Sequence, residues 1–307
     1  MAKLLTLVVS LLCTAPIPGL AQEPATFAYQ GVDRRYVLHQ PSGQSGPRPV
    51  VIGLHGLNEP VEAFRHSWTM DAVADSDGLD VVYPAALSGR WAYADTRPVP
   101  LPGDNGLVDD VGFINALLDK LIADHVADPS RIYVAGASNG GLMAWTLACR
   151  MPERLAAIAP MISGMIERQA QQCHPARLAP LLVLAGTDDL FQSYDGAMAP
   201  EFRLMSVPET LEFWRRLRDC TGLKLRRLPA HDPSDPTAAV LVEWTECKDP
   251  SPQRFFRIEG GGHSLPSFAP LAERERAPHG GRSQTVETAE ELWSFFKPLS
   301  LPAERPR

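Results

Sequence analysis

The run Gly136-Ala137-Ser138-Asn139-Gly140 lies between an apolar, β-branched stretch, Arg131–Ala135, and a helical pattern over Asn139–Cys149. A serine at such a strand-to-helix turn is a candidate nucleophile. The flanking glycines permit a sharp turn, and the hydroxyl is held at the sheet edge under the positive end of a helix. Because a serine hydroxyl is a weak nucleophile at neutral pH, acyl transfer also needs a histidine to take its proton and a carboxylate to fix the histidine tautomer. Downstream, Leu181–Ala185 leads into Gly186-Thr187-Asp188-Asp189, and Phe255–Ile258 leads into Glu259-Gly260-Gly261-Gly262-His263. The order serine, acid, histidine is met by Ser138, Asp189 and His263, and equally by Asp188 in place of its neighbour, with Asp195 as a more distant alternative acid. The oxyanion of a tetrahedral intermediate calls for fixed N–H donors. Asn139, next to the serine, supplies one; Leu57, in the stretch Val51-Ile-Gly-Leu-His55-Gly56-Leu57-Asn58, supplies the other, with His55 bracing that loop. Trp91 stands in a loop, where it either walls the substrate pocket or packs on the sheet edge.

Positioning these groups requires strands that end together. Short apolar runs alternate with helical patterns, which implies βαβ units and a mostly parallel sheet with helices on both faces, an α/β fold. Expected strands are Ala25–Tyr29 and Arg35–His39 as a hairpin, then Val50–Leu54, Leu79–Tyr83, Arg131–Ala135, Ala156–Met161, Leu181–Ala185, Val240–Cys247 and Phe255–Ile258. Val111, Ile114, Leu117, Leu118, Leu121 and Ile122 form one helical stripe behind Asp109 and Asp110, whose carboxylates suit a helix N-terminus. Further helices are expected over Pro208–Cys220 and Thr285–Lys297. Trp91–Leu107 and Phe191–Val207 read as irregular segments beside the binding crevice, Pro229–Thr237 as a loop, and the stretch from Pro298 to Arg307 as a frayed tail. No repeat or long linker divides the chain, so residues 22–298 read as one catalytic domain followed by a tail at 299–307.

Of 307 residues 45% are hydrophobic, enough for a sizeable core, while the net charge of −7 and the absence of any basic run exclude a nucleic-acid footprint. There is no zinc-site spacing, no G-x-G-x-x-G and no Walker loop, so neither metal nor cofactor is expected. The first 21 residues have Lys3, an apolar run from Leu4 to Leu12 and small residues near Ala21, the pattern of a secretory signal cleaved after Ala21. That run is too short to span a membrane, and Cys13 lacks a lipoprotein context. The protein is therefore expected outside the cytoplasm, periplasmic or exported. Cleavage leaves Cys149, Cys173, Cys220 and Cys247, an even number suited to two disulfides, and sequence proximity favours Cys149–Cys173 with Cys220–Cys247.

Leu54-His55-Gly56, the segment from Val108 to Phe113, the segment from Asp128 to Val134, the segment from Gly136 to Met143, Gly186-Thr187-Asp188-Asp189 and Gly260-Gly261-Gly262-His263 resemble successive motifs of one family. These are the secreted esterases that include polyhydroxybutyrate depolymerases, feruloyl esterases and acetyl xylan esterases, grouped as carbohydrate esterase family 1. The resemblance spans roughly Tyr36 to Phe296 and implies an α/β-hydrolase fold, cofactor-free serine esterase activity on a small or oligomeric ester, and the triad Ser138, Asp189 and His263. It departs from many members at Ala185, at Leu190 and at Leu265-Pro266-Ser267, positions that border the acid and the histidine. Two other readings compete: a serine peptidase of related fold, distinguished by comparable amide cleavage, and a noncatalytic binding module, distinguished by inertness to a serine-directed phosphonate.

Overall fold

A computed structural model describes residues 24–43, 45–93, 108–200, 202–269 and 279–302. The expected signal segment and most of the Trp91–Leu107 segment lie outside these residues. In chain order the strands are β1 (Ala25–Tyr29), β2 (Val32–His39), β3 (Arg48–Leu54), β4 (Asp80–Pro84), β5 (Ala127–Ala137), β6 (Ala157–Met161), β7 (Leu181–Gly186), β8 (Ala197–Met198), β9 (Arg203–Leu204), β10 (Cys220–Arg227), β11 (Ala238–Cys247) and β12 (Gln253–Glu259). Ten of them form one sheet in the order β1-β2-β4-β3-β5-β6-β7-β12-β11-β10. The six central strands, β4 through β12, run parallel, and antiparallel hairpins close both ends.

Side chains alternate across this sheet and feed two cores. Val50, Ile52, Leu54, Ile132 and Val134 face one layer, where α3 (Asp110–Ala123), α4 (Asn139–Arg150) and α6 (Val207–Arg218) deliver Phe113, Leu117, Trp145 and Trp214. Val51, Tyr133 and Ala135 face the other, covered by α1 (Val61–Trp68), α2 (Met70–Asp77) and α7 (Thr288–Phe296) with Phe64, Trp68, Trp293 and Phe296. Strands buried on both faces read as continuous apolar runs, which explains why the central ones were visible in the sequence. From β3 the chain passes to β4 on one side and then returns to β5 on the other, a reversal that opens a crevice at the carboxyl ends of β3 and β5.

Both expected disulfides form. Cys220 and Cys247 are paired directly across β10 and β11, and Cys149–Cys173 ties the end of α4 to α5 (Glu167–Gln172). The expected frayed tail is corrected in its first part: Leu299 and Leu301 pack on the core, the Leu301 N–H donates to Ser130 O at 2.8 Å, and Tyr133 Oη donates to Leu299 O at 2.6 Å. Residues 303–307 lie outside the described residues.

Candidate active site

β5 ends at Ala137 and α4 begins at Asn139, leaving Ser138 alone at the turn with φ 55° and ψ −114°. Such a backbone costs a non-glycine residue about 1–3 kcal/mol and persists only where its surroundings impose it. Here they do. A Cβ on Gly136 would overlap the Gly140 carbonyl, and one on Gly140 would overlap the Leu54 carbonyl, so the two glycines let β5, α4 and β3 close around the serine. The Ser138 N–H donates to Met161 O at 3.0 Å, which pins the turn to β6.

Asp189 follows β7 and His263 follows β12, so both reach the same sheet edge as Ser138. His263 Nε2 is 2.9 Å from Ser138 Oγ, and His263 Nδ1 is 2.7 Å from Asp189 Oδ2. An ionised carboxylate only accepts, so Nδ1 carries the proton and Nε2 is left to accept from the serine hydroxyl. The other Asp189 oxygen, Oδ1, accepts the N–H groups of Phe191 and Gln192, each at 2.8 Å, which fixes the carboxylate plane. The His263 N–H donates to His279 O at 2.6 Å. Asp188, the neighbouring alternative, is exposed and accepts from Thr187 Oγ1 instead. Asp195 is exposed and is not part of this chain of bonds.

The loop after β3 is held by its own groups. Ala86 N–H donates to His55 Nε2 at 3.0 Å, so the imidazole proton sits on Nδ1 and donates to Gly56 O at 2.7 Å. Asn58 N–H goes to Gly89 O, Glu59 N–H to Gly56 O, and Gly56 N–H to the Glu59 carboxylate. Among the described residues, Leu57 is the one member of this turn whose N–H has no protein acceptor. Asn139 is the first residue of α4, where a backbone N–H has no carbonyl one turn back to bond.

Burial holds the His55 imidazole below its ordinary value of 6.5, against the Gly56 carbonyl that favours its protonated form. The unfolded chain therefore takes up the proton more readily than the fold does. Stability from this group is present in full above pH 6.5 and declines as the pH falls through the folded value. A His55→Asn variant is expected to lose about 1–2 kcal/mol at pH 8, from polar groups left unpaired. It is also expected to show a shallower decline below pH 6.5 than the parent in urea unfolding.

Trp91 needs correction: it neither walls the pocket nor lies exposed on the sheet edge. It is 1% exposed, its Nε1–H donates to His55 O at 3.0 Å, and its own N–H donates to the Asn139 side-chain oxygen at 2.8 Å. It braces the site from beneath. The surface beside Gly56, Asp189 and His263 is apolar instead: Leu57, Leu190 and Phe191 are exposed, and the Phe191 ring lies 5.2 Å from that of His263. Sequence reading passed over both this rim and Glu59, because a lone apolar or acidic loop residue gives no periodic signal. Among the described residues no three His, Cys, Asp or Glu side chains are grouped as metal ligands would be. No helix among them is long and apolar enough to cross a membrane.

Comparisons with known proteins agree on one kind of chemistry. Residues 34–178 match the family described as esterase PHB depolymerase. NocK of Nocardia uniformis subsp. tsuyamanensis, named as an esterase, is 28% identical over 253 residues, covering 77% of this chain and 72% of that protein. Feruloyl esterase B of Piromyces equi is 25% identical over 75% of this chain and 42% of its own length. Poly(3-hydroxyalkanoate) depolymerase C of Paucimonas lemoignei is 31% identical over 50% of this chain and 39% of its own. The chain thus spans under half of these last two relatives. Among solved structures, a thermostable esterase superposes with a TM-score of 0.56 at 17% identity over 91% of this chain and 63% of that one. An acetyl xylan esterase from Aspergillus awamori superposes with a TM-score of 0.56 at 15% identity over 76% and 90%. Both establish the α/β-hydrolase architecture.

Proposed function

We propose that this chain, whose residues 34–178 match the esterase PHB depolymerase family, is a secreted serine carboxylesterase. The observation that carries the reading is the continuous bond from Ser138 Oγ through His263 to Asp189. Ser138 Oγ attacks the ester carbonyl carbon as His263 Nε2 takes its proton, and Asp189 holds the imidazole in the tautomer that can accept. The oxyanion lies between the N–H groups of Leu57 and Asn139. As the carbonyl carbon–oxygen bond to the alcohol breaks, His263 returns the proton to the leaving oxygen, and water activated by the same histidine then releases the acid. The names of the relatives point to hydroxyalkanoate oligomers or to feruloyl and acetyl esters, and the apolar rim of Leu57, Leu190 and Phe191 suits an apolar acyl or aryl group. The two disulfides agree with an oxidising compartment.

The test is labelling with a serine-directed phosphonate, followed by peptide mapping, beside hydrolysis of a short-chain aryl ester and of the matching anilide. Stoichiometric labelling at Ser138 with ester turnover far above amide turnover is expected. A folded protein that takes up no label overturns the reading, and comparable amide turnover turns it into a peptidase.

A further inference from the structure

Gly56 is gripped on both sides by one residue. Glu59 accepts the Gly56 N–H on Oε2 at 2.8 Å, and its own N–H donates to Gly56 O at 3.3 Å. The Gly56 carbonyl belongs to the same trans peptide as the Leu57 N–H, and in a trans peptide these two bonds point in opposite directions. That carbonyl is held by His55 Nδ1 and the Glu59 backbone N–H, while the Glu59 carboxylate holds the peptide on the other side of Gly56; with both flanking peptides fixed, the Gly56 dihedrals are set and the Leu57 N–H is aimed. The place is crowded: a Cβ on Gly56 would come within 3.1 Å of Glu59 Oε2 and 3.7 Å of Ser138 Cβ, so Gly56 lies close to both the carboxylate and the nucleophile. Its other oxygen bonds no protein group among the described residues. Glu59 also lines a cavity of about 230 Å³ whose walls include Arg35, Tyr36, His55, Glu62 and Gly89. A solvated surface carboxylate needs no such internal bond.

Building on the esterase reading, we infer that Glu59 is a positioning residue whose carboxylate, by fixing the Gly56 N–H, sets the backbone of Gly56 so that the Leu57 N–H meets the oxyanion. Burial pushes the Glu59 carboxyl upward while the Gly56 N–H pulls it back, which agrees with a group held for its bond rather than for solvation. Because the carboxylate borders a cavity, its removal leaves a space that a small solute can enter and fill.

The experiment compares the parent with Glu59→Ala and Glu59→Gln on a short-chain aryl ester, with and without added formate. Loss of a bond that supports one oxyanion donor is expected to lower kcat of Glu59→Ala about 10- to 100-fold, with KM within about threefold. Glu59→Gln keeps an acceptor oxygen and is expected within about fivefold of the parent. Formate at high concentration is expected to restore kcat of Glu59→Ala at least about fivefold and to leave the parent unchanged. The inference is overturned if Glu59→Ala keeps its kcat, if only KM changes, or if neither Gln nor formate recovers activity. Phosphonate labelling of the parent is run beside these assays, so an inactive, unlabelled parent refutes the esterase reading and a fully active Glu59→Ala refutes this inference alone.

Discussion

Replacing Ser138 by alanine is expected to lower kcat/KM on any ester by about four orders of magnitude or more, with the protein still folded. That loss is equivalent to roughly 5 kcal/mol or more of transition-state stabilisation. The fold does not depend on the hydroxyl, because Ser138 is anchored through its backbone N–H to Met161, and Oγ has His263 as its partner. Alanine leaves both the turn and the neighbouring glycines in place. The check is steady-state hydrolysis together with thermal unfolding: activity should vanish while the melting temperature moves by no more than a few degrees. Retained activity would show that another group performs the attack.

The second large effect separates two adjacent acids. Asp189→Asn is expected to lower kcat about 10³- to 10⁴-fold, whereas Asp188→Asn should change it by less than about twofold. An asparagine at 189 can keep its oxygen on the Phe191 and Gln192 N–H groups, which turns its NH₂ toward His263 Nδ1. The imidazole then accepts at Nδ1 and carries its proton on Nε2, facing Ser138, where it cannot take a second one. Asp188 bonds only Thr187 and solvent on its side-chain oxygens, so an amide serves there equally well. Pre-steady-state assays of both variants, with phosphonate reactivity as a second readout, make the comparison; equal losses would mean that the acid has been misassigned.

The grouping of Ser138, Asp189 and His263 was legible because each follows a buried strand, and buried parallel strands announce themselves as apolar runs. What stayed hidden depended on contacts across the fold. Val61–Trp68 and Met70–Asp77 form two helices where none was expected, since Thr69 adopts φ 60° between α1 and α2 and breaks the apolar period after eight residues. The strand Cys220–Arg227 was missed because Lys224, Arg226 and Arg227 crowd an exposed sheet edge, where no core imposes a clean alternation. Helix α5, with the sequence ERQAQQ, has almost no apolar face to detect. Trp91 reads as a loop residue in any local window, and its burial follows from partners 36 and 48 positions away, His55 and Asn139. The same holds for Glu59, whose role rests on a glycine already assigned to the turn.

Ser138 and His263 are 125 residues apart, and Asp189 and His263 are 74 apart. Contacts of such long range form late, after the entropy of closing large loops has been met. During refolding with both disulfides intact, helical signal and the first central strands can therefore be regained before β12 docks on β7 and delivers the histidine. Turnover becomes a reporter of the final docking step, and a chain halted just before it would carry a native-looking circular dichroism spectrum and no activity.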